Sequence, residues 1–164
     1  MADIEHIGST SVSGLAAKPT IDLLVGVKAL PLSPGKIWAL WDLSYVHVPG
    51  LGTPEHLFFG RGRGTLEPYN VHVVILGSSV WRDNLAFRDY LRTHPRVAAE
   101  YERIKRWAAE DPAQYSERKR PFVEETLERA RRWATHLSGA EVRRASEGRA
   151  GAGCPRGRRA GSRS

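Results

Sequence analysis

This sequence has a single cysteine and no long hydrophobic run, and its first residues do not predict a leader peptide. Cys154 is the only cysteine among 164 residues, which excludes an intramolecular disulfide and a zinc site built from cysteines. No apolar run approaches the ~18 residues that a membrane span requires, and the first residues do not show the charged and then apolar pattern of a secretory signal. We therefore expect a cytoplasmic protein with no membrane partner.

The excess of positive charge is concentrated at the C-terminal end. The formal net charge is +7, and residues 138–164 contribute +5 of it through seven arginines and two glutamates. This stretch has almost no large apolar residue, which predicts a disordered Arg/Gly-rich tail after one domain over residues 1–137. A solvated extension is the favoured interpretation, and weak, salt-dependent phosphate binding by the arginines is the alternative. Nucleic acid is therefore expected as a partner only weakly and through this tail.

The order of apolar patterns places strands first and helices afterwards. Strands are predicted at residues 4–7, 20–27, 44–48, 56–60 and 70–76. A helix is predicted to begin at Pro34, and a short helical turn is predicted in GLAA at residues 14–17. From Ser79 onward the helical period dominates. The expected fold class is therefore α+β, a mixed sheet followed by a helical half.

Two features of the helical half are specific enough to test. One buried stripe is predicted to contain Val97, Tyr101, Ile104 and Ala108. Asp111 and Pro112 suit the N-cap and first position of the next helix. Because Pro121 lacks an N–H and its ring crowds the carbonyl four residues earlier, we expect a kink or a break near Arg120.

The stretch IEHIGSTSVSGLAAKPTIDLLVGV, residues 4–27, carries the candidate chemistry. Gly8 and Ser9 follow a strand, where free backbone N–H groups can turn toward a phosphate, and Lys18 adds positive charge. Asp22 lies inside an apolar strand, where a carboxylate is costly unless it is hydrogen-bonded or meets a cation such as Mg²⁺. The same residues equally suit a capped turn and an acid at the end of a sheet. His72, between two valines, is as compatible with a structural histidine as with a ligand.

These residues resemble a known family. The stretch above, together with NVHVVILGSSVWRDNLAFRDYLRTHP at 70–95 and the spacing of Tyr115, Lys119 and Phe122, is similar to the GrpB family over about residues 4–134. The resemblance implies the fold of the nucleotidyltransferase superfamily. It also implies a Gly-Ser motif that holds nucleotide phosphates, matched here by Gly8 and Ser9, and a metal-binding acid on the following strand, matched by Asp22.

Two departures from the expected pattern bear on activity. Nucleotidyltransferases usually carry two acids separated by one residue, because both acids bridge two Mg²⁺ ions, whereas the second position here is Leu24. GrpB-like proteins ordinarily place a helical segment before the first strand, whereas here the strand begins by Ile4. We therefore expect a truncated chain whose uncovered apolar sheet surface lowers stability or promotes self-association.

Two functions remain open at this point. The first is metal-dependent nucleotide binding, with nucleotidyl transfer to an unknown acceptor, in which Asp22 is the catalytic and metal-binding residue and the metal is Mg²⁺ or Mn²⁺. The phosphate-binding residues would be Gly8, Ser9, Thr10 and Lys18, and the acceptor-side residues would be His56, Arg61, Arg63 and His72. The second is a non-catalytic binding module for a small phosphorylated ligand, which the absence of a second acid favours. Domains similar to this family also occur fused to dephospho-coenzyme A kinases.

A nucleic-acid-binding helix is a third interpretation of the basic residues. Four arginines follow SSVW, at positions 82, 88, 92 and 96. They alternate with Asp83 and Asp89, which favours a solvated helix face over a surface that binds phosphates.

Overall fold

The structure is a computed structural model that describes residues 3–16, 20–62 and 68–137. Five strands are present in chain order, β1 (Asp3–Ile7), β2 (Ile21–Val27), β3 (Val46–His47), β4 (His56–Arg61) and β5 (Tyr69–Ile75). They form one sheet in the order β1-β2-β5-β4-β3. The central strands β2 and β5 pair in parallel and the other neighbours pair antiparallel. The sheet is therefore mixed.

Four helices complete the described part of the chain, α1 (Pro34–Asp42), α2 (Ser79–Thr93), α3 (Pro95–Ala109) and α4 (Tyr115–His136). Proline occupies the first turn of α1 and of α3, where a missing N–H costs no helical hydrogen bond. Ser78 caps α2, since its hydroxyl accepts a hydrogen bond of 3.2 Å from the backbone N–H of Trp81. Among these helices, none is long and apolar enough to cross a bilayer.

The two faces of the sheet are covered by different helices. Val71 and Val73 point to one face, where they pack with Phe59 and with Leu40 of α1. Leu24 and Val74 point to the other face, where they pack against Trp81 of α2. Because strand side chains alternate, Asp22 and His72 share the α2 face with Leu24. The candidate carboxylate therefore lies under the helical half and not under α1.

The helical half packs around the segment that follows β1. Val12 from that segment joins Leu91 of α2 and Tyr101 of α3 in a third cluster of buried side chains, and Phe122 of α4 packs against it. These buried apolar contacts fix the positions of the three helices relative to the segment after β1 and so relative to the sheet. The turn after β1 is therefore held between the sheet and all three C-terminal helices.

Most of the predicted elements are confirmed. The fold is α+β with a mixed sheet, the five strands lie where they are predicted, with β3 shorter, and Tyr101 and Ala108 of the predicted stripe are buried. The helical turn after β1 lies at Ser9–Ser11, and residues 14–16, the described part of the predicted GLAA segment, form no helix. Residues 138–164, the predicted tail, lie outside the described residues.

The structure contradicts the predicted N-cap of α4 and the predicted break at Pro121. The helix begins at Tyr115, because Asp111 caps a turn instead, with its Oδ1 accepting a hydrogen bond of 3.2 Å from the N–H of Ala113. The helix also continues through Pro121 without a break. Pro121 lies in the second turn, so the ladder loses only the hydrogen bond to the carbonyl of Glu117 while the flanking turns remain packed.

Leu24 lies where nucleotidyltransferases usually carry their second acid, and its side chain is completely buried. We expect Leu24→Ala to lower the free energy of unfolding by about 2–5 kcal/mol, because it leaves a cavity under Trp81. Leu43→Ala is the matched control, since Leu43 is 59% exposed and surface changes cost about 0.5 kcal/mol or less. Urea unfolding of both variants measures the difference, and equal losses would contradict this account of the core.

Candidate functional site

A cleft of about 520 Å³ lies between the sheet and the three C-terminal helices. Its floor comes from β1, β2 and β5 and its walls from α2, α3 and α4, with the turn at Gly8 and Ser9 beside them. The lining side chains with polar groups include Ser9, Asp22, Asn70, His72, Arg88, Tyr101, Lys105, Tyr115 and Lys119. A cleft of this volume can enclose most of a small molecule.

Asp22 is anchored at the polar edge of an otherwise apolar sheet face. It lies opposite Ile7 on β1 and opposite Asn70 on β5. The amide Nδ2 of Asn70 donates a hydrogen bond of 2.7 Å to Oδ1 of Asp22, and Nε2 of His72 lies 3.6 Å from the same oxygen. The carboxylate is 22% exposed. Asp22 therefore meets the cleft as a half-buried acid whose orientation is set by its neighbours on β5.

Gly8 is the residue that lets the turn pass against this carboxylate. Its φ is +73°, a conformation that side chains disfavour, and a Cβ added to it would lie 2.4 Å from Oδ2 of Asp22. The hydroxyl of Ser11 donates a hydrogen bond of 2.6 Å to the Gly8 carbonyl. The turn is therefore closed by a hydrogen bond between two of its own residues and lies in close contact with Asp22.

Ser9 is held by a lysine from α3. Nζ of Lys105 donates hydrogen bonds of 2.9 Å to the hydroxyl of Ser9 and of 2.9 Å to the carbonyl of Ala16. Burial lowers the pKa of Lys105, and the carboxylate of Glu102 partly opposes that shift. Both acceptors are neutral, so the positive charge of Lys105 reaches the cleft without an ion pair there.

Lys119 brings a second ammonium group to the cleft from α4. Its Nζ lies 4.6 Å from the ring centroid of Tyr115, a cation–π contact. Burial lowers the pKa of Lys119 and the charge of Asp22 partly opposes the shift. Within residues 3–16, 20–62 and 68–137, this ammonium has no hydrogen-bond acceptor. Among the described residues, only the Tyr115 ring and the attraction of Asp22 therefore offset the partial burial of this charge.

The two lysines repeat one arrangement on two helices. Tyr101 precedes Lys105 by four residues and Tyr115 precedes Lys119 by four, and in each case the ammonium lies over the ring, at 5.3 and 4.6 Å from its centroid. Burial raises the pKa of both tyrosines. Sequence reasoning used Lys119 only as part of the family pattern and overlooked Lys105. The repeated Tyr-x-x-x-Lys spacing was the signal that could have found them.

Three of the four predicted phosphate-binding residues lie in the described part of the chain. Gly8 and Ser9 line the cleft beside Asp22. Thr10 turns away from the cleft, since its hydroxyl donates a hydrogen bond of 3.0 Å to the Thr20 carbonyl and lies 3.0 Å from Nε2 of His6. Thr10 therefore braces the turn. Lys18 lies outside the described residues.

The predicted acceptor-side residues that the structure describes lie on two different faces of the sheet. His72 lines the cleft, and its Nδ1 lies 2.9 Å from Nε2 of His56 behind it. Burial and the neighbouring His72 lower the pKa of His56. Arg61 lies on the opposite face, with its guanidinium 5.7 and 5.6 Å from the ring centroids of Tyr45 and Tyr69. Arg63 lies outside the described residues.

The prediction that the α2 arginines form a solvated face is wrong for Arg88 and Arg92. Arg88 is buried and forms ion pairs of 2.7 Å with Glu5 of β1 and 2.8 Å with Asp89. Arg92 donates a hydrogen bond of 2.9 Å to the carbonyl of Ser11. The carboxylates of Glu5 and Asp89 balance these two charges, and the carbonyls of His6 and Ser11 accept further hydrogen bonds from them. They brace the turn at Gly8 from behind.

The donor set for a metal is small. The Asp22 carboxylate and the Asn70 amide oxygen are hard donors of the kind that Mg²⁺ and Mn²⁺ accept. The described part of the chain contains no group of three or more His, Cys, Asp or Glu side chains able to hold a metal ion. These residues therefore fit one ion that also takes oxygens from a bound ligand, and they do not fit the two-ion arrangement.

Gly8 offers a direct test of how closely the turn and Asp22 approach. Gly8→Ala should lower the free energy of unfolding by about 1–3 kcal/mol, from backbone strain and the collision with Oδ2. Gly14→Ala is the control, because Gly14 also has a positive φ, +79°, but has nothing within 4 Å of an added Cβ. Chemical unfolding of both variants gives the comparison. A loss at Gly14 as large as that at Gly8 would refute the contact with Asp22.

Lys119 offers a test through pH. Since burial lowers its pKa, the unfolded chain holds the proton more tightly, and this lysine destabilises the folded protein below the ordinary lysine pKa of 10.5. Without ligand, Lys119→Met should therefore be more stable than the original protein at pH 7, with the advantage shrinking as pH rises toward 10.5. Lys36→Met, on exposed α1, controls for loss of a positive charge. Thermal unfolding from pH 7 to 10.5 measures both, and a Lys119→Met variant that is less stable at pH 7 would contradict the prediction.

Comparisons with known proteins agree with this fold. The family model described as "GrpB protein" matches residues 1–129 of the chain. The glutamate-rich protein GrpB of Alkalihalophilus pseudofirmus is 34% identical over 133 residues, which are 76% of this chain and 76% of that protein. The crystal structure of conserved protein GrpB from Enterococcus faecalis is similar with a TM-score of 0.63 and 30% identity, over 78% of this chain and 79% of that one.

A longer protein also contains a similar region. A dephospho-CoA kinase of Mycobacterium leprae is 28% identical over 162 residues, which are 80% of this chain and 40% of the kinase. The chain thus spans about two fifths of that protein and about three quarters of the A. pseudofirmus relative. With the family model matched over most of its length, and with a sheet and helices similar to those of a solved member, this chain belongs to the GrpB family.

Proposed function

We propose that the cleft binds a phosphorylated small molecule, with its phosphate between the Gly8–Ser9 turn and the ammonium groups of Lys105 and Lys119. The observation that carries the proposal is the half-buried Lys119, whose ammonium lacks a hydrogen-bond acceptor in the described part of the chain. Phosphate oxygens would supply that acceptor and would offset the cost of burying the charge. A site of this kind binds the anion more tightly than exposed lysines would.

The charges of the cleft support an anionic ligand. Lys105 and Lys119 face a single carboxylate, Asp22. The other charged residues that line the cleft are neutralised, since Arg88 is paired with two acids and Asp83 forms a bidentate ion pair with Arg131. Two ammonium groups against one carboxylate leave a net positive charge. That excess favours a ligand with at least one negative charge.

Nucleotides are the first phosphorylated ligands to test. The resemblance to nucleotidyltransferases implies them, and the M. leprae relative carries the name of a kinase that acts on a nucleotide-like metabolite, dephospho-CoA. Neither fact identifies the ligand of this chain, since fold and family allow many ligands. The chemistry that the cleft selects is the phosphate, and the nucleotide is one carrier of it.

Metal-dependent nucleotidyl transfer is a second candidate, supported by the position of Asp22 beside the Gly8–Ser9 turn. Asp22 and the amide oxygen of Asn70 would hold Mg²⁺ or Mn²⁺ there, and the ion would supply Lewis-acid activation of a phosphoryl group. Leu24 occupies the position of the second acid and packs in the core. With one carboxylate we favour binding without turnover, which a release assay with each nucleoside triphosphate would test.

Lys119 is the first residue to change for the phosphate site. Lys119→Gln should weaken binding of pyrophosphate and ATP by about tenfold or more, the loss of one charge-assisted contact. Lys36→Gln is the matched control, because Lys36 is exposed on α1 away from the cleft. Calorimetric titration gives both affinities. Unchanged binding in Lys119→Gln would refute the proposed site, and equal weakening in Lys36→Gln would point to nonspecific attraction.

Asp22 separates the role of a metal from that of the lysines. Without a divalent ion its carboxylate repels a phosphate, so Asp22→Asn should bind ATP more tightly in EDTA. With Mg²⁺ or Mn²⁺ the original protein should gain affinity and Asp22→Asn should not, because the ion has lost its only carboxylate ligand. Thermal-shift titrations with and without metal measure the four combinations. A metal-dependent gain retained by Asp22→Asn would place the ion elsewhere.

A further inference from the structure

We infer that the ligand of this cleft joins its phosphate to an uncharged apolar group about two helical turns long, which lies along the half-buried side chains of Phe87 of α2 and of Val123 and Leu127 of α4. The inference rests on the proposed function, since it takes the phosphate to lie at Lys119. It adds the chemical class of the ligand, a phosphate monoester with an apolar body.

The side chains that α4 contributes to the cleft change from polar to apolar along the helix. The residues of α4 that line it recur every four positions, at Tyr115, Lys119, Val123 and Leu127. Positions four apart lie on one face of a helix, and each step advances by about 6 Å. The cleft therefore passes from a cation at Lys119 to two apolar side chains over a distance of about 12 Å. A phosphate alone would leave those two side chains without a partner from the ligand.

The opposite wall of the apolar part comes from α2. Phe87 lines it and packs edge-on against Tyr101, with the ring centroids 5.6 Å apart. Leu91 lines it as well and is 2% exposed. Val123 and Leu127 face these residues from α4 and are only half-buried. Apolar side chains from both helices therefore line the cleft beyond the lysines, beside Asn84 and Arg88 of α2, and part of the α4 side chains remains accessible.

The far end of the cleft offers no free charge to a ligand. Asp83 lines the cleft there, and its two carboxylate oxygens accept hydrogen bonds of 2.8 and 2.7 Å from Arg131, one turn beyond Leu127 on α4. Because this pair is bidentate and satisfied, a second charge on the ligand would find no partner. Within the described residues, the cleft thus has free positive charge at one end and a neutral ion pair at the other, and between them its α2 and α4 side chains are either apolar or, at Asn84 and Arg88, hydrogen-bonded within the protein.

The experiment is a chain-length series measured by calorimetry on the full chain. The probes are inorganic phosphate and the ethyl, butyl and hexyl monophosphates. Phenyl phosphate and AMP are measured as well, because they attach an aromatic ring and a polar nucleoside to the same phosphate. Each buried methylene should strengthen binding by about three- to fourfold, so affinity should rise steadily from ethyl to hexyl phosphate. Phenyl phosphate should also exceed inorganic phosphate.

Variants at the apolar end test the assignment to α4. Leu127→Gln and the nearly isosteric Val123→Thr should each reduce the gain from ethyl to hexyl phosphate by at least fivefold while leaving the affinity for inorganic phosphate within twofold. Leu43→Gln is the matched control, because Leu43 is exposed outside the cleft, and it should keep the full gain. Thermal unfolding of each variant confirms that it is folded before titration.

The outcomes distinguish this inference from the proposed function. If neither inorganic phosphate nor any ester binds, the proposed function is overturned and this inference with it. If phosphate binds through Lys119 but affinity stays flat from ethyl to hexyl phosphate, the inference alone is overturned. A gain for AMP in the absence of any gain for the alkyl and phenyl esters would overturn it too, because a polar base would then occupy the space.

Discussion

The carboxylate of Asp22 at the edge of an apolar sheet face is the constraint on which the rest of the site depends. One row inward on the same strand is Leu24, fully buried under Trp81. The charge is tolerated because Asn70 donates to it and because the cleft leaves it partly solvated. Gly8 must lack a side chain since the turn presses against this same acid. The polar site and the hydrophobic core thus share one strand.

Support for the turn comes from charged side chains of the helices. Arg88 and Arg92 join α2 to β1 and to the carbonyl of Ser11, and Lys105 joins α3 to Ser9. Buried guanidinium groups are tolerated here because acids and carbonyls satisfy them. The helical half therefore does more than cover the sheet, since it sets the position of the residues that would meet a phosphate.

This arrangement favours binding over two-metal chemistry. A second acid at position 24 would have to replace a core side chain, at the cost of burying a carboxylate. The position contributes to stability instead, while the positive charge of the cleft comes from lysines on α3 and α4. A sheet with one acid and two facing ammonium groups suits the recognition of an anion, and the apolar stripe beyond Lys119 suits the group attached to that anion.

By itself, the sequence determined the five strands, the α+β class, the family and the pairing of Gly8 and Ser9 with Asp22, because alternation, helical period and a contiguous motif are local properties. Tertiary structure decided which charged side chains lie beside Gly8, Ser9 and Asp22. From its helix alone the sequence predicts a solvated Arg88, whereas in the fold Glu5, 83 residues away, joins the neighbouring Asp89 in pairing with its buried guanidinium. The side of the sheet taken by Arg61, and the convergence of two Tyr-x-x-x-Lys segments on Asp22, depend likewise on how helices pack on strands, which no local pattern encodes.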